Sequence, residues 1–110
     1  MAFRVLLTED AADDLNDLYT YICQHDSPAK AEYVLQQIEE KFTGLIEYPE
    51  RGVYPKELIA LGIRDYREIF FKPYRIIYRV DAANVYVYFI VDGRRDMQTL
   101  LQRRLLGGTI

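Results

Sequence analysis

The stretch REIFFKPYRIIYRVDAANVYVYFIVD, residues 67–92, decides the fold, because it holds three runs of β-branched and aromatic residues in close succession. Lys72-Pro73 separates the first run from the second, and residues 81–84 separate the second from the third. Such residues favour β-strands, and separators this short join neighbouring strands as hairpins. The stretch therefore predicts a three-stranded antiparallel meander.

The chain before the meander follows a helical period. An apolar run at residues 3–7 predicts a strand, after which Thr8 is placed to cap a helix with acidic residues in its first turn. Ser27 and Pro28 restart the helical pattern as cap and first residue, so we expect an antiparallel hairpin of two helices. After the meander, residues 97–106 predict a short helix that a pair of glycines ends.

These elements predict an α+β fold. An antiparallel sheet, made of the N-terminal strand and the meander, packs on the N-terminal helical hairpin, and a short C-terminal helix follows. The hairpin covers one face of the sheet, and we expect the other face to stay partly open. With 110 residues, 50% of them hydrophobic, the chain has the material for one core, so we expect residues 1–110 to form a single domain.

Charge is divided unevenly along the chain, although the net charge is only −3. Residues 1–63 hold five basic and twelve acidic residues, a balance of −7, whereas residues 64–110 hold nine and five, a balance of +4. This asymmetry indicates a basic face that binds an anion, on a scaffold that is acidic elsewhere. We interpret the acidic half as solvated helix surface, with Asp13, Asp14 and Asp17 lying off the apolar stripe of the first helix.

Several classes of site are excluded by residue usage. The single cysteine, Cys23, cannot form an internal disulfide or supply zinc-ligand spacing, and the single histidine, His25, is interpreted as a C-terminal helix residue. No metal motif, glycine-rich phosphate loop or Ser-His-Asp set occurs, so we expect no metal and no cofactor. A signal peptide and an apolar run of membrane-spanning length are also missing, so we expect a cytoplasmic protein without membrane contact.

Two adjacent arginines, Arg94 and Arg95, leave the end of the last strand of the meander. On the middle strand, the period of two places Arg75 on the sheet face opposite the helical hairpin. Clustered guanidinium groups are suited to phosphate, although for any single arginine we favour an ion pair with a neighbouring acid. The candidate target contacts are Arg64, Tyr74, Arg75, Arg94 and Arg95, and the candidate acidic partners are Glu68, Asp92 and Asp96.

Five short motifs follow one another along the chain: D-L and Y-I within 14–22, Y-P-x-x-G at 48–52, G-x-R at 62–64, YRIIYRV at 74–80 and DGRRD at 92–96. In this layout the chain resembles the RelE/ParE superfamily, the toxins of type II toxin–antitoxin modules, over essentially its whole length. The resemblance implies one of two activities on a common fold. RelE-like members are ribonucleases that cut messenger RNA, typically in the ribosomal A site, whereas ParE-like members poison DNA gyrase.

For the ribonuclease branch, the resemblance implies that Arg75 and Arg95 are catalytic. That branch also uses lysines near the preceding strands and a C-terminal tyrosine, but Lys56 and Lys72 do not match convincingly, and Leu101 stands where the tyrosine falls. Cleavage by 2′-hydroxyl attack needs a base, and an arginine does not easily act as one. We therefore favour a ParE-like gyrase poison, which is not an enzyme, with a ribosome-dependent mRNA endoribonuclease as the alternative.

The resemblance also implies partners. A cognate antitoxin neutralises such a toxin, and the target is DNA gyrase or, in the alternative, the ribosome and its mRNA. We expect the antitoxin to dock on an exposed sheet edge or on the helical hairpin, as a hetero-oligomer, while a toxin homodimer stays open. A third interpretation is a toxin-derived domain that has lost activity and only binds its antitoxin, which toxicity on expression would distinguish.

Overall fold

The computed structural model describes residues 3–105. A strand comes first, followed by two long helices, a short helix, the three-stranded meander and a final helix. A 3₁₀ turn, Gly44–Ile46, extends the second long helix. The strands are β1 (Arg4–Leu7), β2 (Arg67–Phe71), β3 (Tyr74–Asp81) and β4 (Asn84–Asp92), and the helices are α1 (Glu9–His25), α2 (Pro28–Thr43), α3 (Lys56–Ile59) and α4 (Met97–Leu105).

The four strands form one sheet in the order β1-β4-β3-β2. β2, β3 and β4 pair antiparallel, which confirms the predicted meander. β1 runs parallel to β4, with Arg4 opposite Asn84 and Leu7 opposite Val87, so the sheet is mixed. A parallel pair requires a long crossover, which the chain from α1 to β3 provides. The predicted α+β fold is confirmed. The sheet is antiparallel within the meander, and β1 adds to it in the parallel direction.

Both long helices begin where their capping residues predict. The Thr8 hydroxyl accepts a hydrogen bond from the Ala11 amide at 3.1 Å, and the Ser27 hydroxyl accepts one from the Lys30 amide, also at 3.1 Å. Each of these bonds satisfies an amide that the helix itself cannot pair, a contribution of about 1 kcal/mol. The predicted glycine stop of α4, Gly107-Gly108, lies outside the described residues.

The larger core fills the space between the helical hairpin and one face of the sheet. Ile38 of α2 and Ile76 of β3 are fully buried there, and each contributes about 1.5–3 kcal/mol by leaving water. Tyr78 belongs to the same core, and its hydroxyl accepts a hydrogen bond from the Gly52 amide at 2.9 Å. The buried members of this hairpin-side core are Ala11, Ile22, Ala31, Val34, Ile38, Leu45, Ile69, Ile76, Tyr78, Val85, Val87 and Ile90.

The opposite face of the sheet carries a second core, so our expectation that this face stays partly open is wrong. Met97 and Leu101 lie four residues apart on α4, which places both on one side of that helix, and both are buried. Leu58 of α3 closes the other side of this core and is fully buried. The buried members of this second core are Leu58, Tyr66, Ile77, Phe89, Val91, Met97 and Leu101.

A bulge in β4 changes which of its residues face each core. Ile77 of β3 pairs with Phe89, whereas Tyr78 pairs with Val87, so Tyr88 is left as an extra residue on β4. The extra residue shifts the alternation of side chains, and Val87 and Ile90 therefore face the same core although they are three positions apart.

Side chains, not a strand, cover the edge of β4 beyond the end of β1. The Asp14 carboxylate accepts a hydrogen bond from the Ile90 amide at 3.1 Å, and Arg104 of α4 donates to the Tyr88 carbonyl at 3.2 Å. Arg104 and Asp14 also form a bidentate ion pair, with nitrogen–oxygen distances of 2.8 and 2.9 Å. Asp14 is therefore a partly buried link between α1, β4 and α4, and its interpretation as solvated surface is wrong.

Candidate functional site: the turn that carries Arg94 and Arg95

The turn between β4 and α4 is fixed by backbone contacts on both sides. The Gly93 amide donates to the Pro73 carbonyl at 2.8 Å, and the Arg95 amide donates to the Asp92 carbonyl at 3.2 Å. At the far end, the Asp96 carboxylate accepts from the hydroxyl of Thr99 at 2.8 Å and from its amide at 3.3 Å, and so caps α4. Asp96 therefore serves as a helix cap.

Position 93 has no room for a side chain. A Cβ atom there would lie 2.7 Å from Cδ and 2.9 Å from Cγ of Arg75, and 3.1 Å from the Pro73 carbonyl oxygen. Glycine is needed because the backbone of the turn rests directly on the aliphatic part of the Arg75 side chain.

Arg94 and Arg95 leave this turn into solvent but differ in their surroundings. Arg94 pairs with Asp92, donating through Nε at 2.9 Å, and this hydrogen bonding holds the pKa of the Asp92 carboxyl below its ordinary value. The pair adds little to stability, because the Arg94 side chain is 75% exposed. Within residues 3–105, no carboxylate lies within 4 Å of the Arg95 guanidinium, which is therefore available to an anion.

Arg75 lies on the predicted face of β3, but it is buried. Its Nε donates to Glu68 at 2.6 Å, and its two terminal nitrogens donate to the two oxygens of Glu57 at 2.8 and 2.9 Å. The expectation of a free guanidinium on an open face is wrong, because α3 brings Glu57 over it. The alternative, an ion pair with Glu68, is confirmed. No sequence signal placed Glu57 here, since α3 is a single turn within a loop.

The two carboxylates around Arg75 respond in opposite ways. Hydrogen bonds from Arg75 hold the pKa of Glu57 below its ordinary value. Burial raises the pKa of Glu68, and the attraction of Arg75 offsets this only in part. The two pKa shifts differ in direction because Glu68 is more deeply buried: its side chain is 5% exposed, and that of Glu57 is 11% exposed. One guanidinium is thus surrounded by two acidic groups, and no positive charge is left to attract a ligand.

Arg64 lies at the other end of the sheet, beside Arg67 and Arg79. Along β3 the five steps from Tyr74 to Arg79 correspond to about 17 Å. Arg67 is already engaged there, donating to the Glu50 and Gly52 carbonyls at 3.2 and 2.9 Å. The single arginine cluster predicted from the sequence is therefore divided into two separate surfaces.

Aromatic residues border the turn on the side of the helical hairpin. Tyr74 is half-buried and stacks on Phe71 with ring centres 6.5 Å apart, and burial together with nearby Asp92 raises its pKa. The exposed Tyr21 lies near enough to contribute to that shift, and it stacks on His25 at 4.0 Å. Sequence analysis missed Tyr21, whose only signal was its position off the apolar stripe in the last turns of α1.

The described residues contain neither a metal-binding cluster nor a membrane-spanning helix. Within residues 3–105, no three His, Cys, Asp or Glu side chains lie together in a way that could hold a metal ion. In the same part of the chain, no helix has both the length and the apolar composition needed to cross a bilayer.

A family model described as "ParE toxin of type II toxin-antitoxin system, parDE" matches residues 5–97. The chain belongs to this family. The match runs from β1 to the start of α4, so it includes the turn that carries Arg94 and Arg95. The resemblance to the RelE/ParE superfamily, with the ParE-like branch favoured, is confirmed.

Individual relatives agree with the family. Toxin ParE3 of Caulobacter vibrioides is 27% identical over 101 residues, which are 92% of this chain and 97% of that protein. A chain of the chromosomal ParDE system from P. aeruginosa has a TM-score of 0.70 at 22% identity, over 83% of this chain and 96% of the other. An arginine-to-alanine double variant of the E. coli toxin RelE, in the free state, has a TM-score of 0.64 at 16% identity over 100% of both chains. At these identities the two structural likenesses establish a shared fold.

Proposed function

We propose that this ParE-family toxin arrests growth by poisoning DNA gyrase. The observation that carries the proposal is the family match over residues 5–97, since ParE-like members of the superfamily act on gyrase. In this proposal residues 1–110 act as one toxin domain in the cytoplasm, without a cofactor and without catalysis.

The turn after β4 is the surface that we assign to the target. Arg95 carries an exposed guanidinium without a carboxylate partner in the described residues, and Arg94 holds a pair that a ligand can displace at little cost. Tyr74 lies beside them at the start of β3, and adds a ring and a hydroxyl to the same surface. Two guanidinium groups on a rigid turn suit phosphate groups, such as those of DNA held by gyrase.

The state of Arg75 supports a gyrase poison over a ribonuclease. In the ribonuclease branch this arginine belongs to the catalytic set, but here two glutamates occupy its guanidinium. One observation favours the alternative of a ribosome-dependent endoribonuclease, namely the fold shared with the E. coli toxin RelE.

A cognate antitoxin is the partner that we propose for neutralisation. β2 is an edge strand, and among residues 3–105 only its Glu68 pairs outward, with Val53. Phe70, two positions later, therefore directs its backbone groups to the same open side, and the residue is 42% exposed. An extended segment can add to this edge, and a hetero-oligomer of toxin and antitoxin would result.

The test begins with brief induction of the protein in bacteria without an antitoxin, followed by mapping of transcript 5′ ends. We expect growth arrest with intact transcripts, and accumulation of cleaved DNA when the purified protein is added to gyrase. Arg95→Ala should abolish both effects while thermal unfolding stays unchanged. The matched control is Arg4→Ala, since Arg4 is also exposed but pairs with the far end of β4.

Three outcomes count against the proposal. New 5′ ends in register with codons would establish the ribonuclease alternative. Normal growth of cells making folded wild-type protein would favour a domain that only binds its antitoxin. A toxic and well-folded Arg95→Ala protein would remove the assigned surface.

A further inference from the structure

Arg75 divides its side chain between two tasks. The aliphatic part, Cγ and Cδ, lies directly under Gly93, and the guanidinium reaches away from the turn to Glu57 on α3 and Glu68 on β2. We propose that Arg75 is a positioning residue for toxicity: its aliphatic stem supports the turn that presents Arg94 and Arg95, and its guanidinium never contacts the target. The inference rests on the proposed use of that turn as the target surface.

The stem can act this way because it is held at both ends. The backbone of Arg75 pairs with Val91 on one side and with Phe70 on the other, inside the meander. Three hydrogen bonds of 2.6–2.9 Å hold the guanidinium. A long flexible side chain thereby becomes a rigid support beneath Gly93, where it leaves no space for a Cβ atom.

The guanidinium of Arg75 is poorly placed to bind an anion, because three of its five N–H groups already donate to carboxylates. Its Nε and both terminal nitrogens already donate to carboxylates, and the residue is only 9% exposed. One guanidinium between Glu57 and Glu68 gives the group a net charge of −1 when both carboxylates are ionised. A phosphate approaching this group would be repelled, so direct contact would require the network to open first.

The test separates the stem from the charge. In a background of Glu57→Met and Glu68→Met, the buried charges of the partners are gone, and such replacements of a buried ion network by apolar residues are often tolerated. Two changes at Arg75 are then compared in this background. Arg75→Met keeps a stem of similar length under Gly93, whereas Arg75→Ala removes it. Thermal unfolding establishes that both triple variants are folded at the assay temperature.

Growth arrest on induction is the first readout, because it does not depend on which target is poisoned. The variant with Arg75→Met should need less than about threefold more inducer than wild type for half-maximal arrest. The variant with Arg75→Ala should need more than about tenfold, which is equivalent to roughly 1.4 kcal/mol if the change reflects binding. Equal loss of toxicity in both would mean that the stem does not suffice without the guanidinium, and would overturn the inference. Equal retention in both would mean that the stem only fills the core.

A second readout is independent of toxicity. In amide NMR spectra, the signals of Gly93 and Arg95 should stay in place with Arg75→Met and should shift or broaden with Arg75→Ala. Indistinguishable spectra of the two variants would overturn the inference even if the wild-type chain proved harmless. If the wild type arrests growth but does not act on gyrase, the proposed function fails, and the comparison of stem variants still decides the role of Arg75.

Discussion

Replacement of Tyr78 by phenylalanine removes one oxygen atom from the centre of the hairpin-side core and leaves the ring in place. Tyr78 is fully buried, and its hydroxyl accepts the hydrogen bond from the Gly52 amide at 2.9 Å. Gly52 lies so close that a Cβ atom there would be 2.6 Å from this hydroxyl oxygen. The Tyr78 hydroxyl thus connects the loop after α2 to the sheet. Burial raises the pKa of Tyr78, so the hydroxyl stays protonated.

The magnitude follows from the partner left behind. A buried amide that loses its acceptor costs about 1–3 kcal/mol. For a chain of 110 residues the entropy of unfolding near the melting temperature is about 0.23 kcal/mol per kelvin. Tyr78→Phe should therefore lower the melting temperature by about 4–13 °C.

Thermal unfolding followed by circular dichroism measures this change, with urea unfolding as a second measure of the free energy. Tyr48→Phe is the matched control, because Tyr48 is 66% exposed and the loss of its hydroxyl should change stability by less than about 0.5 kcal/mol. If Tyr78→Phe melts within about 1 °C of the wild type, the Gly52 amide does not depend on the phenol and the argument is wrong.

Three further predictions test other parts of the structure. Asp14→Ala should lower the free energy of unfolding in urea by about 2–3 kcal/mol, because the Ile90 amide and Arg104 lose a common partner. Asp13→Ala, on the exposed side of α1, is the control and should lower it by less than about 0.5 kcal/mol. Glu57 and Glu68 should give opposite pH dependences. The lowered pKa of Glu57 means that its stabilisation is present above the ordinary value of 4.5 and is lost in acid. The raised pKa of Glu68 means that its contribution is present in acid and is lost as the pH rises through its folded-state pKa. From about pH 3 to 7, the stability of wild type relative to Glu57→Gln should increase, and its stability relative to Glu68→Gln should decrease. If both stability differences change in the same direction with pH, this assignment is wrong. Finally, Ala82 has a φ of 55° in the β3–β4 turn, a conformation in which glycine avoids about 1 kcal/mol of strain. Ala82→Gly should therefore raise the melting temperature by a few degrees. A lower melting temperature would refute that account.

The elements with strong local signals could be predicted from the sequence. Thr8 and Ser27 are caps whose hydroxyls act on the next turn, so their role needs no knowledge of distant residues. The alternation along β3 correctly separated the face of Ile76 and Tyr78 from that of Arg75 and Ile77. The pair Arg94-Arg95 was also correctly placed at a strand end, next to a glycine.

Features that depend on contacts across the chain could not be predicted. Periodicity gave the direction of the Arg75 side chain but not its burial, which depends on α3 and α4 covering that face. The bulge at Tyr88 leaves no mark in an unbroken apolar run. Asp14 has the spacing of a solvated residue, and only the return of α4 beside α1 gives it Arg104 as a partner.

The parallel pairing of β1 with β4 has a consequence for synthesis of the toxin. β1 leaves the ribosome before the other described elements, but its partner strand begins only at Asn84. The link from Asp14 to Arg104 joins positions 90 residues apart. Because synthesis proceeds at about 5–20 residues per second, the apolar side of the helical hairpin stays uncovered for seconds before the sheet can form against it. Nascent chains that end before β4 should therefore be cut readily by protease, and the released chain should resist. The sheet that holds Arg94 and Arg95 in place therefore cannot form until β4 has been made.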